Sequence, residues 1–138
     1  MTDFELIHKK LALIETSVRE IQEMVRPAEI QSDLFQQRFT ERTLLIAIQA
    51  ALDAAAHIVA DDRLGEPRNN RELFEILGRN GWIPEELTDA LRQMVGFRNI
   101  LVHGYEIVDP AVVEHVVRRR LGDLLTYVNA IRERLRGK

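Results

Sequence analysis

Seven apolar residues, Phe4, Ile7, Leu11, Ile14, Val18, Ile21 and Val25, recur at alternating spacings of three and four before Pro27. That period matches one face of a 3.6-residue helix and neither face of a strand, so the segment needs other helices to pack against. Pro27 lacks an N–H and clashes with the preceding turn, which stops the helix there. After a polar break over residues 29–33, a second long helix runs to about Ala60, with Leu45, Ile48, Leu52, Ala55 and Val59 on one face. It ends ahead of Asp61-Asp62 and Gly65-Glu66-Pro67. A shorter helix spans about residues 71–79, capped by Asn69 or Asn70 and closed by Asn80-Gly81.

Pro84 opens a fourth helix at its first turn, with Glu85, Glu86 and Asp89 near the positive end of its dipole, and Gly104 closes it. Asp109-Pro110 starts a fifth by the same logic. Its stripe of Val113, Val117, Leu121, Leu124, Val128, Ile131 and Leu135 runs nearly to the last residue. No segment alternates with period two for long enough to make a strand. The expectation is an all-α fold, an antiparallel four-helix bundle with one additional short helix as a connecting piece. At 138 residues and 46% hydrophobic composition, residues 1–138 are expected to form a single domain with a real core.

The absence of cysteine excludes disulfides and thiolate metal sites and fits a reducing compartment. The first residues, Met-Thr-Asp-Phe-Glu, lack the basic start and apolar run of a signal peptide, and no apolar run is read as spanning a membrane. A cytoplasmic protein without membrane association is expected. A net charge of −3 argues against a protein that coats nucleic acid non-specifically. The charge is uneven, however: residues 110–138 carry a net +4, leaving −7 for the rest. Arg118, Arg119, Arg120, Arg132, Arg134, Arg136 and Lys138 are placed to steer RNA, although basic residues near a helix C-terminus more often just face solvent.

Chemistry-bearing residues gather at the end of the fourth helix, in Met94-Val95-Gly96-Phe97-Arg98-Asn99-Ile100-Leu101-Val102-His103-Gly104-Tyr105. Arg98 carries a permanent cation whose fork matches phosphate geometry, and His103 can move a proton near neutral pH. Cleaving RNA through its own 2′-hydroxyl needs a base, an acid and a cation for the phosphorane oxygens. One motif supplies one imidazole, so a homodimer with two motif helices side by side is the chemical expectation. On the helical wheel, Leu87, Leu91, Val95 and Val102 form one apolar strip, and Ala90, Met94, Phe97 and Leu101 a second. Arg98 lies in the first strip, which suggests that this strip faces a second subunit. Arg92, Gly96, Asn99 and His103 share the polar side.

Arg-Asn-x-x-Val-His-Gly-Tyr after a Met-x-x-Phe approach resembles the signature of the HEPN superfamily, specifically of its HepT-like toxins: Arg, four residues, His, one residue, Tyr. Arg98, His103 and Tyr105 match position for position. The resemblance implies a HEPN-like helical homodimer with the motif at its interface, and a metal-independent endoribonuclease that needs no cofactor. It also implies a toxin–antitoxin system of the HEPN/MNT kind, type VII-like, with RNA as substrate. The partner would be a minimal nucleotidyltransferase (MNT) antitoxin that transfers AMP groups to Tyr105. Such a modification sets anionic phosphate and a nucleoside beside Arg98, in the place of the RNA. The alternative is a non-catalytic HEPN module that binds nucleotide or serves as helical partner of a nucleotidyltransferase.

Simpler roles exist for each residue. His103 can cap a helix end, Arg98 can pair with a carboxylate, and Tyr105 can pack over a turn. Asn99 is supporting, as a surface residue or as a hold on the His103 ring four residues on. Asp53 and His57, four apart, could orient the site, but an ordinary intrahelical pair on the bundle surface is the expectation, and His8 and His115 have no partner pattern.

Overall fold

The computed structural model describes residues 4–103 and 108–137. Six α-helices follow one another: α1 (Phe4–Met24), α2 (Leu34–Asp61), α3 (Asn70–Arg79), α4 (Glu85–His103), α5 (Pro110–Arg119) and α6 (Leu121–Arg136), with a 3-10 turn at Pro27–Glu29. The described residues contain no strand, and the all-helical expectation holds. α1 buries Ile7, Leu11, Ile14, Val18 and Ile21, the stripe that its spacing announces. Phe4, in the first turn, stays 40% exposed.

α2 is the central element, in contact with every other helix. Asp33 caps it, its Oδ1 accepting from the backbone N–H of Phe35 (2.9 Å) and Gln36 (3.3 Å). Its inner side is built largely of alanine: Ala47, Ala50, Ala51, Ala54 and Ala55 are all buried beside Leu44, Ile48, Leu52 and Ile58. Small side chains let neighbouring helices approach closely. By length and composition α2 would suffice to cross a membrane, contrary to expectation, but most of its apolar window is buried within the bundle, as befits a core helix.

Two expectations need correction. α3 is more than a connector, because it places Leu73, Phe74, Ile76 and Leu77 in the core and packs on α2 and α4. The Phe74 ring meets Tyr127 edge-on, with centroids 5.7 Å apart, and the Tyr127 hydroxyl donates to the Ala51 carbonyl at 2.8 Å. Asn69 is the cap, its Oδ1 accepting from the Glu72 N–H at 3.0 Å. The chain leaves α3 through Gly81 at φ +76°, a backbone region costly for side-chain-bearing residues.

The fifth helix is also two helices. The chain turns at Arg120, where the Arg120 N–H donates to Val116 and its carbonyl accepts from Asp123. Gly122, a poor helix former, comes two residues later. The apolar stripe runs through the turn unbroken, which is why periodicity alone reads one helix. The bend lets α5 pack on the 3-10 turn and α2 while α6 lies along α1 and α4. An α6–α1 clamp closes this side: Arg132 Nη1 and Nη2 each donate to a Glu15 carboxylate oxygen at 2.7 Å.

Candidate active site

α4 begins after Pro84, whose carbonyl accepts from the Leu87 N–H, with Glu85 and Glu86 in its first turn and His103 in its last. It packs on α2, α3 and α6 together, so both apolar strips find partners inside this chain. Leu87, Leu91 and Val95 of the first strip are as buried as Met94 and Phe97 of the second. The first strip is therefore not held in reserve for a second subunit. Apolar surface is left only toward the motif end, at Val102 (43% exposed) and Ile100 (53% exposed).

Arg98 is half-buried, and three of its donors are occupied. Nε and Nη2 both donate to Gln49 Oε1 on α2, at 3.2 and 2.9 Å, and Nη1 donates to Asn99 Oδ1 at 3.1 Å. Behind it, Gln49 Nε2 donates to Asp53 Oδ1 at 2.9 Å, and Asp53 Oδ2 pairs with Lys10 Nζ on α1 at 3.1 Å. The order of this relay follows from donor chemistry. A carboxylate only accepts and a guanidinium only donates, so the Gln49 amide must turn its nitrogen to Asp53 and its oxygen to Arg98. Arg98 is thus fixed by a neutral group and keeps its full charge. A guanidinium has five N–H donors, and the unused ones remain for an incoming anion.

Beside the relay runs a groove of about 340 Å³ between α1, α2 and the end of α4. Polar Lys10, Arg42, Gln49 and Asp53 line it together with apolar Leu13, Leu45 and Val102. His103 is exposed in the last turn, with no hydrogen-bond partner among the described residues. His103 is five positions after Arg98, about 140° around the axis and about 7.5 Å along it. One copy therefore directs them to different sides of α4, with Asn99 between.

The supporting residues differ from expectation. Asn99 turns its Oδ1 to Arg98 rather than to His103, because the half-buried cation beside it is the stronger donor. Asp53 is taken by Gln49 and Lys10 and not by His57. Tyr105 and Gly104 lie outside the described residues. Most of the C-terminal arginines are engaged locally: Arg118 with Glu114, Arg120 with Asp123, Arg132 with Glu15, Arg136 with Glu133, and Arg134 over the Trp82 ring. A free basic stripe for RNA is therefore not what they form. Among the described residues no group of three or more His, Asp or Glu could hold a metal.

Sequence reasoning missed Gln49, which is uncharged and belongs to no motif. Its one signal is the position four residues before Asp53, a polar pair on an otherwise apolar helix.

The family described as Ribonuclease HepT-like matches residues 14–131. The mRNA nuclease HepT of Shewanella oneidensis is 32% identical over 133 residues, covering 93% of this chain and 97% of that protein. The tRNA nuclease HepT of Aphanizomenon flos-aquae is 32% identical over 135 residues, covering 95% and 92%. In three dimensions the chain resembles the tri-AMPylated Shewanella oneidensis HEPN toxin, solved in complex with MNT antitoxin, at a TM-score of 0.87 and 32% identity, covering 96% of this chain and 99% of that one. The Bacillus subtilis protein YutE shares the fold at a TM-score of 0.89 and 18% identity, covering 99% and 92%. Family pattern, full-length relatives and superposed helices agree, and this chain belongs to the HepT-like ribonuclease family.

Proposed function

We propose that this protein is the endoribonuclease toxin of a cytoplasmic HEPN/MNT toxin–antitoxin pair, a single-domain chain acting as a homodimer. The observation that carries the reading is the Arg98 guanidinium, fixed by the neutral Gln49 amide at 3.2 and 2.9 Å with donors to spare, on the helix that ends in an exposed His103. Two full-length relatives named as RNA nucleases support it.

The reaction needs no bound metal in this reading. One imidazole takes the proton of the RNA 2′-hydroxyl, whose oxygen attacks the adjacent phosphorus. The bond from phosphorus to the 5′-oxygen breaks, and a second, protonated imidazole supplies the proton that oxygen needs. The products are a 2′,3′-cyclic phosphate and a 5′-hydroxyl. Arg98 stabilises the charge that builds on the phosphorane oxygens. Because Arg98 and His103 of one copy diverge around α4, two copies related by a two-fold axis would supply the pair of imidazoles and bring an arginine to each. The 2′-hydroxyl requirement selects RNA over DNA. AMP transfer to Tyr105 by an MNT antitoxin would silence the site by charge and volume, a role suggested by the AMPylated Shewanella relative and its MNT partner.

The test is cleavage of RNA by the purified protein beside Arg98→Ala and His103→Ala, with EDTA present throughout. The parent should cut and both variants should fall by at least about a hundredfold. Equal cleavage by all three would assign the activity to a contaminant, and no cleavage by the parent would favour a non-catalytic module. Light scattering should return a dimer. Incubation with ATP and the nucleotidyltransferase should add AMP mass to the parent and none to Tyr105→Phe.

A further inference from the structure

A second groove, larger than the one beside Gln49, runs along α4. About 630 Å³ in volume, it lies on the other side of α4, between α3, α4 and α5, with Arg71, Arg92, Gly96, Ile100 and Val112 in its lining. We propose that Arg71, seated over Gly96, is a phosphate-binding subsite for the single-stranded RNA that flanks the cleaved bond. This rests on the nuclease reading for its meaning but not for its measurement.

Position comes first. Gly96, Asn99 and His103 succeed one another at spacings of three and four, so they share one face of α4, and Gly96 lies about 10 Å along the axis from His103. A strand held at His103 that continues along this face meets the groove within a short stretch of chain.

Gly96 is what opens the place. A Cβ built there would stand 3.1 Å from Arg71 Nη2, tighter than ordinary contact. A glycine inside a helix is destabilising relative to alanine, and here its bare backbone lets a guanidinium lie against the helix surface.

The charges nearby leave Arg71 free. Glu75 is one turn along on α3, yet its carboxylate is taken by Arg92 Nε at 3.0 Å, and Asp89 by Arg92 Nη1 at 3.2 Å. Gln93, the remaining polar acceptor of the lining, is held by Arg120 Nη2 at 3.2 Å. The Arg71 side chain has no hydrogen bond or ion pair among the described residues. Beside it, Ile100 and Val112 are 53% and 42% exposed, an apolar shelf next to a cation. Single-stranded nucleic acid is bound by that combination, the cation taking a phosphate and the apolar surface a base or sugar.

Binding of a fluorescent single-stranded RNA to the His103→Ala protein, followed by anisotropy over a range of salt, provides the test, since that protein cannot consume the probe. Adding Arg71→Ala or Arg71→Gln should weaken binding about tenfold and lower the salt slope by about one. Arg79→Ala, which removes an equal charge at the far end of α3, should change neither. Melting curves confirm that each variant is folded. Parent-like affinity and slope in both Arg71 variants would overturn the subsite, as would an equal loss in Arg79→Ala, which would mean diffuse attraction. Should the unmutated protein bind through Arg71 and yet cut no RNA, the nuclease reading fails and the subsite stands.

Discussion

Replacing Gln49 asks whether the cradle around Arg98 orients the cation that the chemistry uses. Gln49→Ala removes the one oxygen that accepts from both Nε and Nη2, and it leaves Asp53 with Lys10 alone. A hydrogen bond to a charged group contributes about 1.5–3 kcal/mol. Two donors share a single acceptor here and the site is half-buried, so water replaces part of the loss and the low end applies. About 1.5–2 kcal/mol of misplaced guanidinium corresponds to roughly a tenfold to thirtyfold fall in the chemical step. Gln49→Glu keeps an acceptor but sets a carboxylate against Arg98 and one turn from Asp53, so it should lose at least as much. Single-turnover cleavage of a short RNA, with enzyme in excess, isolates that step from product release. If Gln49→Ala cleaves at the parent rate while Arg98→Ala is inactive, the cradle holds nothing that matters and the orienting argument is wrong.

Tyr127→Phe removes a fully buried donor whose own titration burial pushes far above the ordinary phenol range, so it donates at every working pH. The expected loss is about 1 kcal/mol, or roughly 3–5 °C in Tm by calorimetry, and an unchanged Tm would show the hydroxyl idle. The two Arg132 hydrogen bonds hold the Glu15 carboxyl below its ordinary value. The stability this adds is present above the usual carboxylate range and disappears as pH falls through the lowered value. Urea midpoints of the parent should therefore drop more steeply in acid than those of Glu15→Gln, the two converging at the lowest pH; parallel curves would sink the assignment. Asp33→Ala should cost about 1 kcal/mol by uncapping α2, read as a lower urea midpoint at constant slope.

The long helices were legible because burying a stripe against neighbours leaves a 3.6-residue period in the chain, and α1 retains it almost residue for residue. The turn at Arg120 was hidden because the stripe of α5 and α6 keeps phase through it, and the core role of α3 because ten residues carry little period. Arg98 and His103 stood out as charged and titratable groups at a helix end. Gln49 did not, since a neutral amide acquires meaning only when folding carries α2 and α4 together across 49 positions. Arg71 was equally silent: its freedom depends on Arg92 occupying both nearby carboxylates, a fact of three dimensions.

Gln49 and Asp53 hang from the outer side of a helix whose inner side carries five buried alanines, with Ala50 and Ala54 their immediate neighbours in sequence. Both alanines are buried, so added carbon at Ala50 or Ala54 should strain the packing of α2 and shift the amide that steadies the cation. A ribonuclease of this family built this way can be weakened by degrees from its interior, through changes that never touch RNA. Attenuated lineages would then carry their lesions among the alanines and leave the motif intact.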